Sequence, residues 1–269
     1  MSLDLDAYFA RIGYDGPREA SLAVLSAIHA RHPATIPFEN LDPLLGRGVS
    51  LDLAAIQAKL MGAHRGGYCF EHNALLRAVL EALGFKVTPL IARVVWMAPP
   101  GHPMGPRSHM LLRIDLEEGP YIADVGFGGH LVTAPLKLSA NLEQRAAGAT
   151  LRLVPDGDVL VLETRLPDGW QAMYRFTLEP AYAADYEVSN WYTATHPTSI
   201  FTNMLLAERL TPEVRSSLAN TRLTRRHADG RVEEVVLASA DDLAGVMLTD
   251  FGVTLADDAA AVFKRVSPG

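Results

Sequence analysis

The segment RGGYCFEHN, residues 65–73, holds the only cysteine of the chain, Cys69, directly after a pair of glycines and at what the downstream spacing makes the first turn of a helix. A thiol attacks electrophilic carbon as its anion, and a helix N-terminus offers the partial positive charge and unpaired N–H groups that favour an anion. Gly66 and Gly67 remove side chains where a substrate carbonyl would approach, and N–H groups of the turn could bind an oxyanion. Taken alone, Cys69 reads more readily as a small buried hydrophobe, the common state of a free cysteine. A nucleophile also needs a base within reach and a third group to orient that base. His109 begins the apolar run SHMLLRIDL, where a titratable ring is out of place unless it is used, and Asp124 in YIADVGFGG closes the next run before a glycine-rich turn. The intervening EEGP turn makes the two runs antiparallel neighbours. With the turn centred on Glu118-Gly119, residue 109 faces position 127 or 128, near enough to Asp124 for a bulge or diagonal contact.

Other chemistries fit less well. His64 and His72 flank Cys69, but a closed zinc site wants four ligands and neither CxxC nor HxxxH occurs, so no metal is expected. His64 reads as a loop position and His72 as a helix residue on a partly exposed face. The GFGG segment at 126–129 lacks the GxGxxG spacing and the helix of a dinucleotide fold; it is either a tight turn or a loop presenting N–H groups to phosphates. Glu39 beside Phe38 and Arg65 beside the glycine pair read as a buried ion pair that fixes the cysteine loop. The basic hairpin with Arg222, Arg225, Arg226, His227 and Arg231 reads as a solvated face.

These residues must be held by a large core. The chain has 269 residues, 49% of them hydrophobic, enough for one large or two to three small domains. With 24 Lys+Arg against 31 Asp+Glu the net charge is −7, which excludes a general nucleic-acid or anionic-membrane surface. A lone cysteine and no apolar leader or membrane run near the N-terminus point to a soluble protein of the reducing cytoplasm. Residues 1–84 have helical spacing, with Leu22, Leu25 and Ile28 on one face before His32-Pro33, then Ile56 and Leu60, then a stripe through Leu76, Leu80 and Leu83 capped by Gly84. Residues 85–180 alternate as strands, with hairpin turns at PDGD and PDG, and predict an antiparallel sheet or barrel. Residues 181–269 mix a helix near 181–192, the basic hairpin and helices near 240–248 and 257–265, the first opened by Ser239 with Asp242. The order predicts three packed units in an α+β protein.

Taken together, IPFENLD at 36–42, RGGYCFEHN, SHMLL, ADVGFGG and SIFTN at 199–203 resemble, in order, the motifs of the arylamine N-acetyltransferases of bacterial type. The resemblance implies a helical bundle, a β-barrel and an α/β lid, the first two arranged as in papain-like cysteine enzymes. It implies a catalytic triad of Cys69, His109 and Asp124, and acetyl transfer from acetyl-CoA to an aromatic amine, hydrazine or hydroxylamine by a ping-pong route. It also implies that Trp96, Gly128 and Gly129 border the coenzyme, and that Phe38, Phe127 and Phe201 wall the thiol against a flat acceptor ring, although each of these aromatics is otherwise a plausible core residue. A thiol amidase or peptidase on the same core, or a binding protein that has lost its chemistry, are the alternatives.

Overall fold

The computed structural model describes residues 3–99, 101–146 and 149–267. The N-terminal part is helical: α1 (Leu5–Ile12), α2 (Leu22–Thr35), a short strand β1 (Phe38–Glu39), α3 (Leu41–Leu44), α4 (Leu53–Gln57) continued by a π-turn, and α5 (Cys69–Ala82). Asp4 and Ser21 cap α1 and α2 by accepting from Ala7 N and Val24 N. The second helix does not stop before His32-Pro33 but runs two residues further, with Pro33 in its last turn. There the missing proline N–H costs one hydrogen bond, and His32 is held in helical position by buried bonds from its ring. Helix α5 buries Leu75, Leu76, Val79 and Leu80 and ends as expected at Gly84, whose φ of +85° a residue with a Cβ rarely adopts.

A single antiparallel sheet follows: β2 (Lys86–Val94), β3 (Arg107–Leu116), β4 (Gly119–Ala123), β5 (Leu136–Lys137), β6 (Gln144–Ala146), β7 (Ala149–Asp156), β8 (Val159–Leu166) and β9 (Gly169–Phe176). The spatial order is β5-β4-β3-β2-β9-β8-β7-β6. It curls into a nearly closed barrel, because the Gln144 side chain on one edge strand bonds both the N–H and the C=O of Lys137 on the other, at 2.7 and 3.0 Å. Alternation sorts the faces. Leu90, Leu111, Ile122, Leu162 and Tyr174 fill the barrel, whereas Met110, Leu112, Ile114 and Ala123 pack outward against the N-terminal helices.

The C-terminal part comprises α6 (Ala183–Thr195), α7 (Ile200–Asn203), β10 (Leu206–Leu210), β11 (Val214–Ala219), β12 (Arg222–His227), β13 (Val232–Val236), α8 (Ala240–Thr249) and α9 (Ala259–Val266). Ser239 caps α8 by accepting from Asp242 N, as its spacing predicted. The five-stranded lid sheet takes its first strand from the other end of the chain, in the order β1-β10-β11-β12-β13. Leu41 and Leu44 likewise join the core under α8 and α9. Among the described residues, no helix is long and apolar enough to cross a membrane.

Candidate active site

Cys69 is the first residue of α5, and the helix places it where the first-turn N–H groups lack intrahelical acceptors. Glu71, in the same turn, accepts from Tyr68 N at 3.1 Å and from Lys59 Nζ at 2.7 Å, so a carboxylate steadies the helix start without touching the sulfur. Burial pushes Glu71 up to about 7 against the pull of Lys59. Gly66 and Gly67 serve closeness of backbone more than room for substrate. A Cβ on Gly66 would lie 2.1 Å from Pro37 O, and one on Gly67 2.6 Å from Glu71 Oε2. The pair lets the loop form a parallel bridge with β1, in which Glu39 N donates to Gly67 O at 2.7 Å.

The β3–β4 turn is Glu117-Glu118, one residue earlier than the sequence reading had it. Gly119 pairs with Leu116 and takes φ +111°, the left-handed region that glycine enters without strain. The register then sets Leu112 against Ala123, and the ladder stops there. Continued, it would set Leu111 against Asp124, which leaves Asp124 and His109 as diagonal neighbours sharing the barrel-interior parity of Leu111 and Ile122. His109 Nε2 and Asp124 Oδ2 are 2.7 Å apart. A bulge in β3 makes Ser108 the extra residue between pairs Ala92–His109 and Arg93–Arg107, and the Ser108 carbonyl lies 3.6 Å from Cys69 Sγ. Cys69 lies close enough to the His109 ring to favour its charged form. The three side chains that the sequence singled out therefore meet, and all are buried: Cys69 is 3% exposed, His109 2% and Asp124 1%.

The electrostatics follow from that burial. Desolvation alone would depress His109, but the Asp124 carboxylate and the bond to it override this and raise the imidazole to about 10. Asp124 is held below the ordinary carboxylate range despite its burial, because His109, Asn73 and the N–H of Gly126 all stabilise the anion. Asn73 was missed by the sequence reading, although it stands one helical turn after Cys69. Its Nδ2 donates to Met110 O (2.7 Å) and Asp124 Oδ1 (3.0 Å), and its Oδ1 accepts from Val125 N (3.1 Å). Tyr174 was missed too; its ring lies 4.9 Å from that of His109, and its buried hydroxyl sits beside Asp124.

Phe38, Tyr68 and Phe201 form one aromatic group and Phe127, His109, Tyr174 and Trp96 another. The GFGG loop is pressed between them. A Cβ on Gly126 would meet Cys69 Cα at 2.7 Å and one on Gly128 the Phe38 ring at 2.4 Å, while Gly129 lies against Trp96 Nε1. The N–H of Gly129 is taken by the buried carboxylate of Glu208, which also accepts from Leu131 N, so this loop is tied to the lid strand β10.

Glu39 and Arg65 form the expected ion pair, at 2.8 Å, with the Glu39 side chain fully buried; Asp42 and Lys59 extend it. His72 departs from expectation. It is 0% exposed, not half-exposed, because its ring bonds His32 and the carbonyls of Pro37 and Gly67. His64 is an exposed loop residue. The basic hairpin is only partly a solvated face: Arg225 chelates the Asp250 carboxylate, and Arg226 and His227 line a cleft of about 600 Å³ between barrel and lid, with His130, Arg165 and Arg215.

Comparison with known proteins gives matches over nearly the whole chain. A family model described as N-acetyltransferase matches residues 21–260. The arylamine N-acetyltransferase of Mycolicibacterium smegmatis is 41% identical over 260 residues, covering 96% of this chain and 94% of that protein. That of Escherichia coli K12 is 42% identical, covering 96% and 91%. Among solved structures, the Mycobacterium marinum arylamine N-acetyltransferase in complex with CoA superimposes with a TM-score of 0.94 at 38% identity, covering 98% of this chain and 100% of that one.

Two outcomes follow from the charges. Replacing Arg65 by Met leaves the buried Glu39 without its main partner and should lower unfolding free energy by roughly 3 kcal/mol; an unchanged urea midpoint would show that the pair fixes nothing. For the site pair, His109 is raised in the folded chain, so its stabilisation is full below its unfolded value of about 6.5 and fades as pH rises through about 10. The stability gap between wild type and His109→Gln should therefore be widest at pH 6 and shrink steadily to pH 10, as followed by urea titration; a gap that does not vary with pH would show that the ring is not charged in the native state.

Proposed function

This chain belongs to the arylamine N-acetyltransferase family, and from that premise we propose that it transfers acetyl groups from acetyl-CoA to arylamines, arylhydrazines and arylhydroxylamines through an acetyl-Cys69 intermediate. The observation that carries the reading is the buried contact of Cys69 with a His109 ring that Asp124 holds charged. His109 takes the thiol proton, and Asp124 holds the resulting imidazolium in place, which is the charged ring of the resting pair. The thiolate attacks the thioester carbonyl, the bond from that carbon to the coenzyme sulfur breaks, and the imidazolium returns its proton to the departing coenzyme A thiolate. An aromatic amine, uncharged near neutral pH, then attacks the acetyl carbonyl; His109 accepts its proton and the carbon–sulfur bond to Cys69 breaks. Acetyl transfer to the oxygen of hydroxylamines has a parallel in the Salmonella typhimurium relative, 38% identical, named as both an arylamine N-acetyltransferase and an N-hydroxyarylamine O-acetyltransferase.

Burial of the sulfur favours this reading over a hydrolase, since a site that excludes water preserves a thioester until an amine arrives. Phe38, Phe127 and Phe201 supply the ring faces for the acceptor. Trp96, with Gly129 against its Nε1, and Gly128, packed on Phe38, border the coenzyme on its way from the sulfur toward the barrel–lid cleft. In that cleft Arg215 and Arg226 stand directly opposite each other on β11 and β12, a like-charge pairing that an anion would relieve, and coenzyme A brings phosphates. Glu39 and Arg65 act as structural support for the cysteine loop. A free thiol that must stay reduced suits the cytoplasm.

Intact-mass measurement after mixing with acetyl-CoA should show one added acetyl group on wild type and none on Cys69→Ser, and His109→Ala should be nearly inert; wild type that releases no coenzyme A and gains no mass would end the reading. Arg226→Ala should raise KM for acetyl-CoA roughly ten-fold with kcat kept, the size of one charge-assisted contact; an unaltered KM would place the phosphates elsewhere.

A further inference from the structure

Beside the site runs a row of buried polar rings that the reaction does not use. Tyr8 OH lies 2.8 Å from His32 Nδ1, His32 Nε2 lies 2.8 Å from His72 Nδ1, and His72 Nε2 lies 3.1 Å from both Pro37 O and Gly67 O. Tyr8, His32 and His72 are each 0% exposed. The end of the row fixes every proton in it. Two carbonyls can only accept, so His72 Nε2 carries hydrogen; in the neutral ring its Nδ1 accepts, so His32 Nε2 donates; His32 Nδ1 then accepts from the Tyr8 hydroxyl. A second proton on His72 would set N–H against the N–H of His32, and one on His32 would force the Tyr8 hydroxyl to turn and accept.

His29 stands one turn before His32 on α2 and is also fully buried. Its Nε2 accepts from Asp124 N at 3.0 Å, which requires that nitrogen to be bare and places the ring proton on Nδ1. Asp124 is the first residue past the last ladder pair of β4, so its N–H has no strand partner and the histidine takes the place of one. Spaced three apart, His29 and His32 thus reach from one helix to both halves of the site: His29 to the barrel residue that orients His109, and His32 through His72 to the two carbonyls that frame the Cys69 loop.

We propose that α2 is a positioning element for acetyl transfer, with His29 holding the backbone of Asp124, and His32 and His72 holding the Pro37 and Gly67 carbonyls, each ring neutral and in one tautomer. The inference rests on the acetyl-cysteine reading above. The environment keeps the rings uncharged. Burial lowers all three, and the charged groups facing them are few: Asp124 for His29, Arg11 from α1 for His32, and Glu39 with Lys59 for His72. Because an acceptor for that buried N–H also serves stability, the positioning role is read from the chemistry of the sulfur and not from folding alone.

Long-range nitrogen–proton NMR of the wild-type imidazoles at pH 7 should find His29 as the Nδ1–H tautomer and His32 and His72 as Nε2–H; a charged ring or an inverted tautomer at any of the three overturns the proposal. His29→Leu should lower the rate of Cys69 acetylation roughly ten- to hundred-fold, the usual cost of small misplacements, and shift the pH midpoint of iodoacetamide alkylation of Cys69, with KM for acetyl-CoA unchanged. His29→Gln, whose amide oxygen can accept from Asp124 N, should recover most of the rate. If wild type acetylates and folded His29→Leu matches it in rate and midpoint, only the positioning role falls; if wild type itself takes no acetyl group, both readings fall. Should His29→Leu fail to fold, the NMR result decides.

Discussion

The buried hydrogen bond between His109 and Asp124 is the interaction around which the rest of the molecule is arranged. Two ionisable groups out of water are tolerated only when their remaining lone pairs and protons are answered, and here nearly every neighbouring element contributes an answer. Helix α5 sends Asn73 to Asp124 Oδ1, the glycine loop sends the N–H of Gly126 to the same oxygen, and α2 receives the N–H of Asp124. These contacts keep the carboxylate ionised and leave His109 with one face for the sulfur. Because the partners come from the helical part and from the barrel, the pair is assembled only when those two parts are docked.

Docking at that distance requires backbone against backbone, which explains the glycines. Gly126 lies where any side chain would strike the Cys69 backbone, Gly128 where it would strike Phe38, and Gly66 where it would strike the Pro37 carbonyl. One of these contacts is with the nucleophile itself and the other two are with Pro37 and Phe38, which flank its loop. The charged cluster of Glu39, Asp42, Lys59, Arg65 and Glu71 then locks the loop and the helix start from below, two cations against three carboxylates. Burial that pushes Glu71 up to about 7 is the natural relief of that excess negative charge.

The sequence was most legible where the signal is local. The cap of α8 by Ser239, the termination of α5 at Gly84 and the hairpins at PDGD and PDG depend on a few adjacent residues and stand where their spacing put them. Cys69, His109 and Asp124 could be singled out because each is chemically out of place in its own segment, and the structure brings them together. What was not legible is set by contacts far apart in the chain. A histidine at 72 looks half-exposed until His32, forty residues upstream, is known to lie against it. Strands β10 and β11 carry too little alternation to stand out, and they are specified by pairing with β1 and β12. The turn at 117–118 slipped by one residue because Gly119 could sit in the turn or take positive φ at the first pair beyond it, and only the register decides.

The lid is coupled to the chemistry by two buried side chains. Asn40, which follows β1, donates to the carbonyls of Phe201 and Met204 and accepts from Leu206 N, so the segment carrying Phe201 is fixed to the strand carrying Phe38. Glu208, two residues into β10, grips Gly129 and Leu131 and is itself paired with Arg215 in the cleft. A load on Arg215 from an anion in the cleft therefore bears on the carboxylate that shapes the glycine loop, and through Gly128 and Gly126 on Phe38 and Cys69. The cleft lined by Arg215 and the packing beside Cys69 are thus joined by one short chain of contacts, so a displacement of Glu208 would be felt at the backbone of the nucleophile.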